Sequence, residues 1–158
     1  MKLQLRQVTH LEEALGLADR IDRSAAEFHA QVSDLPYPAG AAERALRARF
    51  AAPETVLVVA EDEAAPANER GRVWGLCLTG PFVDPLFGTS QPMVLALHVD
   101  PTLRHRGVAS ELVARAGEVL ASRNLHTLAA RASHNDDALV SMGERWGFVR
   151  SWELMVKE

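Results

Sequence analysis

The chain has 158 residues, 47% of them hydrophobic and 24% charged, which fits one ordinary globular domain with a substantial core. That mix excludes a disordered tail, a coiled coil and a collagen-like repeat. Lys+Arg number 17 against 21 Asp+Glu, for a net charge of −4; a dedicated nucleic-acid binder is more often strongly basic, so no nucleic-acid partner is expected.

The only lysines are Lys2 and Lys157. The lone cysteine, Cys77, permits neither an intrachain disulfide nor a cysteine-based zinc cluster. No signal-type apolar run opens the chain, and no stretch approaches the roughly 20 apolar residues of a membrane span. A soluble, cytoplasmic protein without membrane partners is the default expectation.

Residues Lys2–Val8 alternate as a strand. Thr9, with Glu12 three residues on, has capping-box spacing. The helix expected behind it carries Leu11, Ala14, Leu15, Ala18 and Ile21 on one stripe. Two prolines in Ser33–Pro38 break the helical pattern. A second helix is expected from Ala39 to about Ala51. Thr55–Ala60 and Gly71–Thr79 read as a hairpin about the polar segment Glu61–Arg70.

Gly80–Pro92 holds two glycines and three prolines and reads as a long loop, a common place for function. Met93–Val99 is a strand that Pro101 ends. A helix follows from about Val108 to Arg123, then a strand at Leu125–Ala132, a helix at Asn135–Trp146 and a C-capping Gly147. Phe148–Val156 is the last expected strand. The order is β-α-α-β-β-β-α-β-α-β, a single mixed α/β (α+β) domain over residues 1–158.

The segment Leu95–Ser110 carries the chemistry. It runs strand, turn, helix, with Arg104-x-x-Gly107-x-Ala109 in the turn. Backbone N–H groups left free at a helix start form an anion nest. Gly107 and Ala109 are small enough for close backbone approach, and Arg104, His105 and Arg106 add positive charge. Neither a P-loop nor a G-x-G-x-x-G fingerprint occurs.

These residues resemble the acyl-CoA signature of the GNAT superfamily of N-acyltransferases. Asn135-x-x-Ala138 and Trp146-Gly147-Phe148 are similar to that family's second motif. The resemblance is specific between residues 93 and 148 and topological before that. It implies a mostly antiparallel central sheet flanked by helices on both faces, with two strands splayed to form an acyl-CoA cleft. The cosubstrate implied is acetyl-CoA, with no metal. Backbone N–H groups from Arg106 through Gly107, Val108 and Ala109 to Ser110, with Arg104 and His105 beside them, would hold the pyrophosphate. Leu97 and Val99 would pair with the pantetheine arm, and a backbone N–H near Val99 would polarise the thioester carbonyl. Asn135 would bond the pantetheine; from the residues alone it is equally a helix cap, and the two roles are compatible.

The implied reaction is direct attack by a primary amine on the thioester. An alkyl ammonium has a pKa of about 10, so a base must take a proton. His98 is the first candidate, since imidazole titrates near operating pH. Asp100 and Glu61 are alternatives, though each also reads as turn chemistry. The family often carries a Tyr four residues before the Gly of Gly-Phe, as general acid; here that position is Gly143, and Tyr37 is the only tyrosine. A CoA thiol, with a pKa of about 8.5, can leave unassisted near neutral pH.

Acceptor recognition is expected in Phe28–Ala39 and Gly80–Pro92, with Tyr37, Asp84 and Ser90 as candidates. Cys77 and Trp74, Trp146 and Trp152 read as core. The histidines share no metal-ligand spacing. A small-molecule amine is the leading acceptor. A protein or peptide amine, or a CoA-binding module without turnover, are the alternatives, and a homodimer through the last strand stays open by analogy with the fold.

Overall fold

A computed structural model describes residues 2–64, 72–151 and 155–157. Four strands form one antiparallel sheet in the order β1-β2-β3-β4: β1 (Leu3–Val8), β2 (Val56–Asp62), β3 (Val73–Val83) and β4 (Ser90–Val99). Helices α1 (Leu11–Leu15), α2 (Ala18–Val32) and α3 (Ala41–Arg49) cover one face, and α4 (Val108–Ser122) covers the other. Helix α5 (Asp137–Arg145) lies near the C-terminus.

Burial on both faces explains the unbroken apolar run of β2, whose residues Val56–Ala60 are all buried. Leu57 and Val59 join Leu76, Leu78 and Ala96 under α1–α3. Val56, Val58 and Ala60 join Cys77 and the α4 residues Val108, Leu112 and Ala116 on the other side. Cys77 is a core residue, and burial pushes its thiol up to about 12. Each fully buried Val or Leu contributes about 1.5–3 kcal/mol of transfer free energy.

Five expectations need correction. The first helical stretch is two helices. Leu17 N–H turns back to the Ala14 carbonyl, and the chain restarts as α2 after Gly16-Leu17. The apolar stripe still holds, because Leu11, Ala14, Leu15, Ala18 and Ile21 all reach the same core. The capping box does not form either: His10 occupies the N-cap of α1 and no side chain caps it.

Gly80–Pro92 is not a long loop. Gly80 pairs with Met93, Pro81 with Pro92, Phe82 with Gln91 and Val83 with Ser90, which leaves only Asp84–Thr89 as the turn. The prolines are tolerated because neither lacks a needed donor. Pro92 turns its carbonyl outward to the Ala129 N–H (2.9 Å), so its missing N–H falls on that outer side. Pro81 lies beyond the start of β2, which pairs with β3 only up to Thr79.

The strand expected at Leu125–Ala132 reduces to one parallel bridge, Met93 with Ala129. The chain then diverges from β4, so no ladder continues. With that partner gone, residues 148–151 and 155–157 form no strand, and Val149, Met155 and Val156 are exposed. Trp152 lies outside the described residues. Trp74 and Trp146 pack against the α4 core as expected.

Two glycines test the packing. A Cβ on Gly75 would stand 3.0 Å from the His98 carbonyl oxygen and 3.1 Å from Leu112 Cδ1, so β3 could accept it only by moving from β4 and α4. Gly117, inside α4, has open space there. Urea unfolding should show Gly75→Ala destabilised by about 1–3 kcal/mol and Gly117→Ala stabilised by about 0.5–1 kcal/mol. Equal midpoints for the two variants would contradict this packing.

Candidate active site

The site begins at a bulge in β4. Register shifts between Leu78 and Thr79, so Ala96 pairs with Leu78, Val94 pairs with Thr79, and Leu95 is the extra residue. On the outer edge Val94 N–H reaches the Ala129 carbonyl (2.8 Å). Past the bulge that edge is open. Asp100 N–H donates to the Trp74 carbonyl at 2.7 Å, facing β3. By strand alternation the N–H and C=O groups of Val99 and Leu97 face away from β3. Their carbonyls are engaged there: Leu97 accepts from Ser24 Oγ of α2 (3.1 Å), and Val99 accepts from Arg104 Nε (3.4 Å). Among the described residues no backbone or side-chain acceptor crosses that edge to the Leu97 or Val99 N–H.

The chain then makes a short 3-10 turn, Pro101–Leu103, capped by Asp100, whose Oδ1 accepts from Thr102 N–H (2.9 Å) and Thr102 Oγ (2.6 Å). Those bonds hold the Asp100 carboxyl below its usual range, which suits a cap and not a base. His105 (φ 63°) and Gly107 (φ 78°) are both left-handed. Histidine tolerates that region better than most residues, and glycine does so freely. The first backbone bond of α4 is Glu111 N–H to the Gly107 carbonyl (3.0 Å). The N–H groups of Val108, Ala109 and Ser110 therefore have no intrahelical acceptor, and no side chain caps them. Arg104, His105 and Arg106 are exposed beside this positive helix end.

Opposite the open edge, the chain after Ala129 runs parallel to β4 and draws away. Gln31 of α2 and Ser133, Asn135 and Asp136 line a cavity of about 330 Å³ there. Asp136, not Asn135, caps α5, accepting from Leu139 N–H at 3.0 Å. Asn135 is exposed, its N–H donates to Ser133 Oγ (3.3 Å), and among the described residues nothing hydrogen-bonds its side-chain amide. Gly147 takes a left-handed φ of 94° just past the α5 end, as a C-capping glycine should.

His98 pairs with Leu76 and projects on the α2 side, opposite Leu97 and Val99. It is half-buried, and burial lowers its pKa from 6.5. Arg104 and Arg20 push the same way, while Glu27 and Asp100 oppose them. Glu61 is engaged elsewhere, paired through Oε1 with Arg6 Nε (2.6 Å) at the β1 side of the sheet. Gly143 lies inside α5 with its Cβ position 3.9 Å from Phe148 Cβ.

The acceptor candidates do not come together. Tyr37 donates to Asp22 Oδ1 (2.8 Å), and burial together with that bond pushes its hydroxyl up to about 12. Asp84 closes the β3–β4 turn by accepting from the N–H groups of Leu86 and Phe87 (2.8 Å each). Ser90 donates to Glu54 Oε1 (3.0 Å). Ser90 begins β4 and Val99 ends it, so about 30 Å of strand separates them. Sequence reading passed over Ser24, Gln31 and Ser133. Ser24 and Gln31 are uncharged polar residues seven positions apart on one face of α2, and that spacing is the signal they offer.

A family model described as the acetyltransferase (GNAT) family matches residues 21–148. The chain belongs to the GNAT acetyltransferase family. Solved structures share its fold. An aminoglycoside N-acetyltransferase, AAC(6')-Iy, in complex with CoA is 18% identical over 99% of this chain and 94% of its own, with a TM-score of 0.67. A predicted acetyltransferase with acetyl-CoA from Clostridium acetobutylicum is 15% identical over 99% and 96%, at 0.71. A ribosomal-protein-alanine N-acetyltransferase from Brucella melitensis biovar Abortus 2308 is 14% identical over 100% and 99%, at 0.64. A comparison with curated proteins gives no match.

The α5 cap separates two roles that the sequence left joined. Asp136→Ala should cost about 1 kcal/mol in thermal or urea unfolding, whereas Asn135→Ala should change stability by less than about 0.5 kcal/mol. The reverse order would return the cap to Asn135.

Proposed function

We propose that the protein is an acyl-CoA-dependent N-acetyltransferase that moves an acetyl group from acetyl-CoA to a primary amine of a small-molecule acceptor. One observation carries the reading: the open edge of β4 leads into an uncapped helix N-terminus. A linear ligand with a diphosphate at one end and an amide-bearing arm matches that order of donors. In this reading the N–H groups of Val108, Ala109 and Ser110, with the turn from Arg104 to Gly107, hold the pyrophosphate of CoA.

The pantetheine arm then lies along the open edge as an added strand, beside Val99 and then Leu97. One of those two N–H groups polarises the thioester carbonyl as charge develops on its oxygen. Leu97 stands farther from the phosphate cradle, which favours it for the acyl end. In this reading the Asn135 amide, which has no hydrogen-bond partner among the described residues, bonds the arm.

The acceptor approaches as a neutral amine. Its nitrogen bonds to the carbonyl carbon, the C–S bond breaks, the amine proton passes to a base, and the thiolate takes a proton from water. His98 is that base: with its pKa lowered by burial it stays neutral at pH 7 and can accept a proton. No tyrosine stands at Gly143, so the sulfur leaves without a tyrosyl acid. Among the described residues no helix is long and apolar enough to cross a membrane.

Free-thiol release from acetyl-CoA, measured against a panel of amines, tests the reading; turnover with one amine class is expected. Because the His98 pKa is lowered, kcat/KM corrected for the fraction of acceptor present as neutral amine should hold at pH 7 and fall as pH drops through a pKa below 6.5. His98→Gln should reduce kcat at least tenfold and remove that acid limb. An unchanged limb would remove His98 as base, and absence of acetyl-CoA binding would overturn the whole reading.

A further inference from the structure

A second cavity, of about 400 Å³, lies between α3 and the β3–β4 pair. Its floor is apolar: Leu46 of α3, Leu78 and Pro81 of β3, and Leu95, the bulge residue of β4. Leu95 lies across Gly80, where a Cβ would come within 2.6 Å of its Cδ1. Its polar members are Arg44, Arg49 and two threonines.

The threonines are spent on the fold. Thr55 Oγ donates to the Arg49 carbonyl (2.7 Å), and Thr79 Oγ donates to the Glu54 carbonyl (2.8 Å) while accepting from Val56 N–H (3.1 Å). The two guanidinium groups are not. Arg44 Nη1 donates to the Ala39 carbonyl (2.5 Å), which leaves its other donors. Among the described residues neither arginine has a carboxylate within ion-pair distance, because on α3 Glu43 pairs with Arg47 instead. Among the described residues no acidic side chain lines the cavity. Glu54, next to Thr55, accepts from Ser90.

Two unpaired cations above an apolar floor suit an amphipathic anion. The position says which one. Leu95 is two residues, about 7 Å, from Leu97, whose N–H lies on the open edge. It also packs on the sheet face to which His98 points. We propose that this cavity takes the anionic end of the acceptor, so that the acceptor is an amine that also carries a carboxylate or phosphate on a short apolar frame. The proposal rests on the acetyl-transfer reading above and names its substrate class. A polycationic acceptor such as an aminoglycoside would meet like charge at Arg44 and Arg49.

The test uses the full chain and acetyl-CoA with three sets of amines: apolar amino acids with free carboxylates, the same compounds as amides, and aminoalkyl phosphates. A polycationic aminoglycoside is the fourth arm. The free acids or the phosphates should exceed the amides at least tenfold in kcat/KM, and whichever set leads identifies the oxyanion. Arg44→Gln with Arg49→Gln should raise KM for that set at least tenfold, narrow its lead over the amides, and leave KM for acetyl-CoA within twofold. Calorimetric titration of the same compounds into the CoA-bound protein should give the same ranking of affinities without relying on turnover. Equal use of acids and amides, preference for the aminoglycoside, or an unmoved KM in the double variant would overturn the proposal while acetyl transfer stands. Failure to bind acetyl-CoA would overturn both.

Discussion

The candidate site depends on a backbone accounting problem at the edge of β4. A strand edge presents donors and acceptors that need partners. Up to the bulge that need is met by Ala129, which exchanges bonds with Pro92 and Val94. After it, the chain beyond Ala129 diverges and the edge opens. The carbonyls of Leu97 and Val99 find Ser24 and Arg104, but neither side chain accepts from the N–H groups. A ligand that supplies amide carbonyls completes the sheet.

The same logic continues through the next turn. Asp100 and Pro101 stop β4, two left-handed residues redirect the chain, and α4 starts with three unpaired donors. Gly107 serves there because its φ of 78° is strained for most other residues. Core packing keeps both features in register. Val108 and Leu112 of α4 meet Gly75 of β3, and Gly75 pairs with Val99. The edge donors and the helix donors are thus held by one packed layer.

The motif from His98 to Ser110 was legible in the sequence because its glycine, its proline and its strand-to-helix change are local. The core was legible for a similar reason, since apolar periodicity reports burial directly. What escaped was set by distant partners. Pro81 and Pro92 read as loop residues until the structure shows that their missing donors face no strand. The segment Leu125–Ala132 has the composition of a strand, yet pairing ends at Ala129 because the chain leaves β4. Asn135 and Asp136 are both good caps, and only the backbone angle at residue 136 decides between them. Arg44 and Arg49 carry no local signal within the helix expected from Ala39 to about Ala51; their relation to Leu95 is a tertiary fact. Asp84 and Ser90, expected in acceptor recognition, stand at the short turn between β3 and β4 and not in a long loop, because strand pairing runs on to Val83 and Ser90.

Backbone amide hydrogen exchange, read residue by residue with and without CoA, tests the central claim most directly. CoA should slow exchange at Leu97, Val99, Val108, Ala109 and Ser110 together, with little change at Val58 or Cys77, which are already buried in the sheet. Protection absent from Leu97 and Val99, or confined to residues outside the β4–α4 segment, would contradict it.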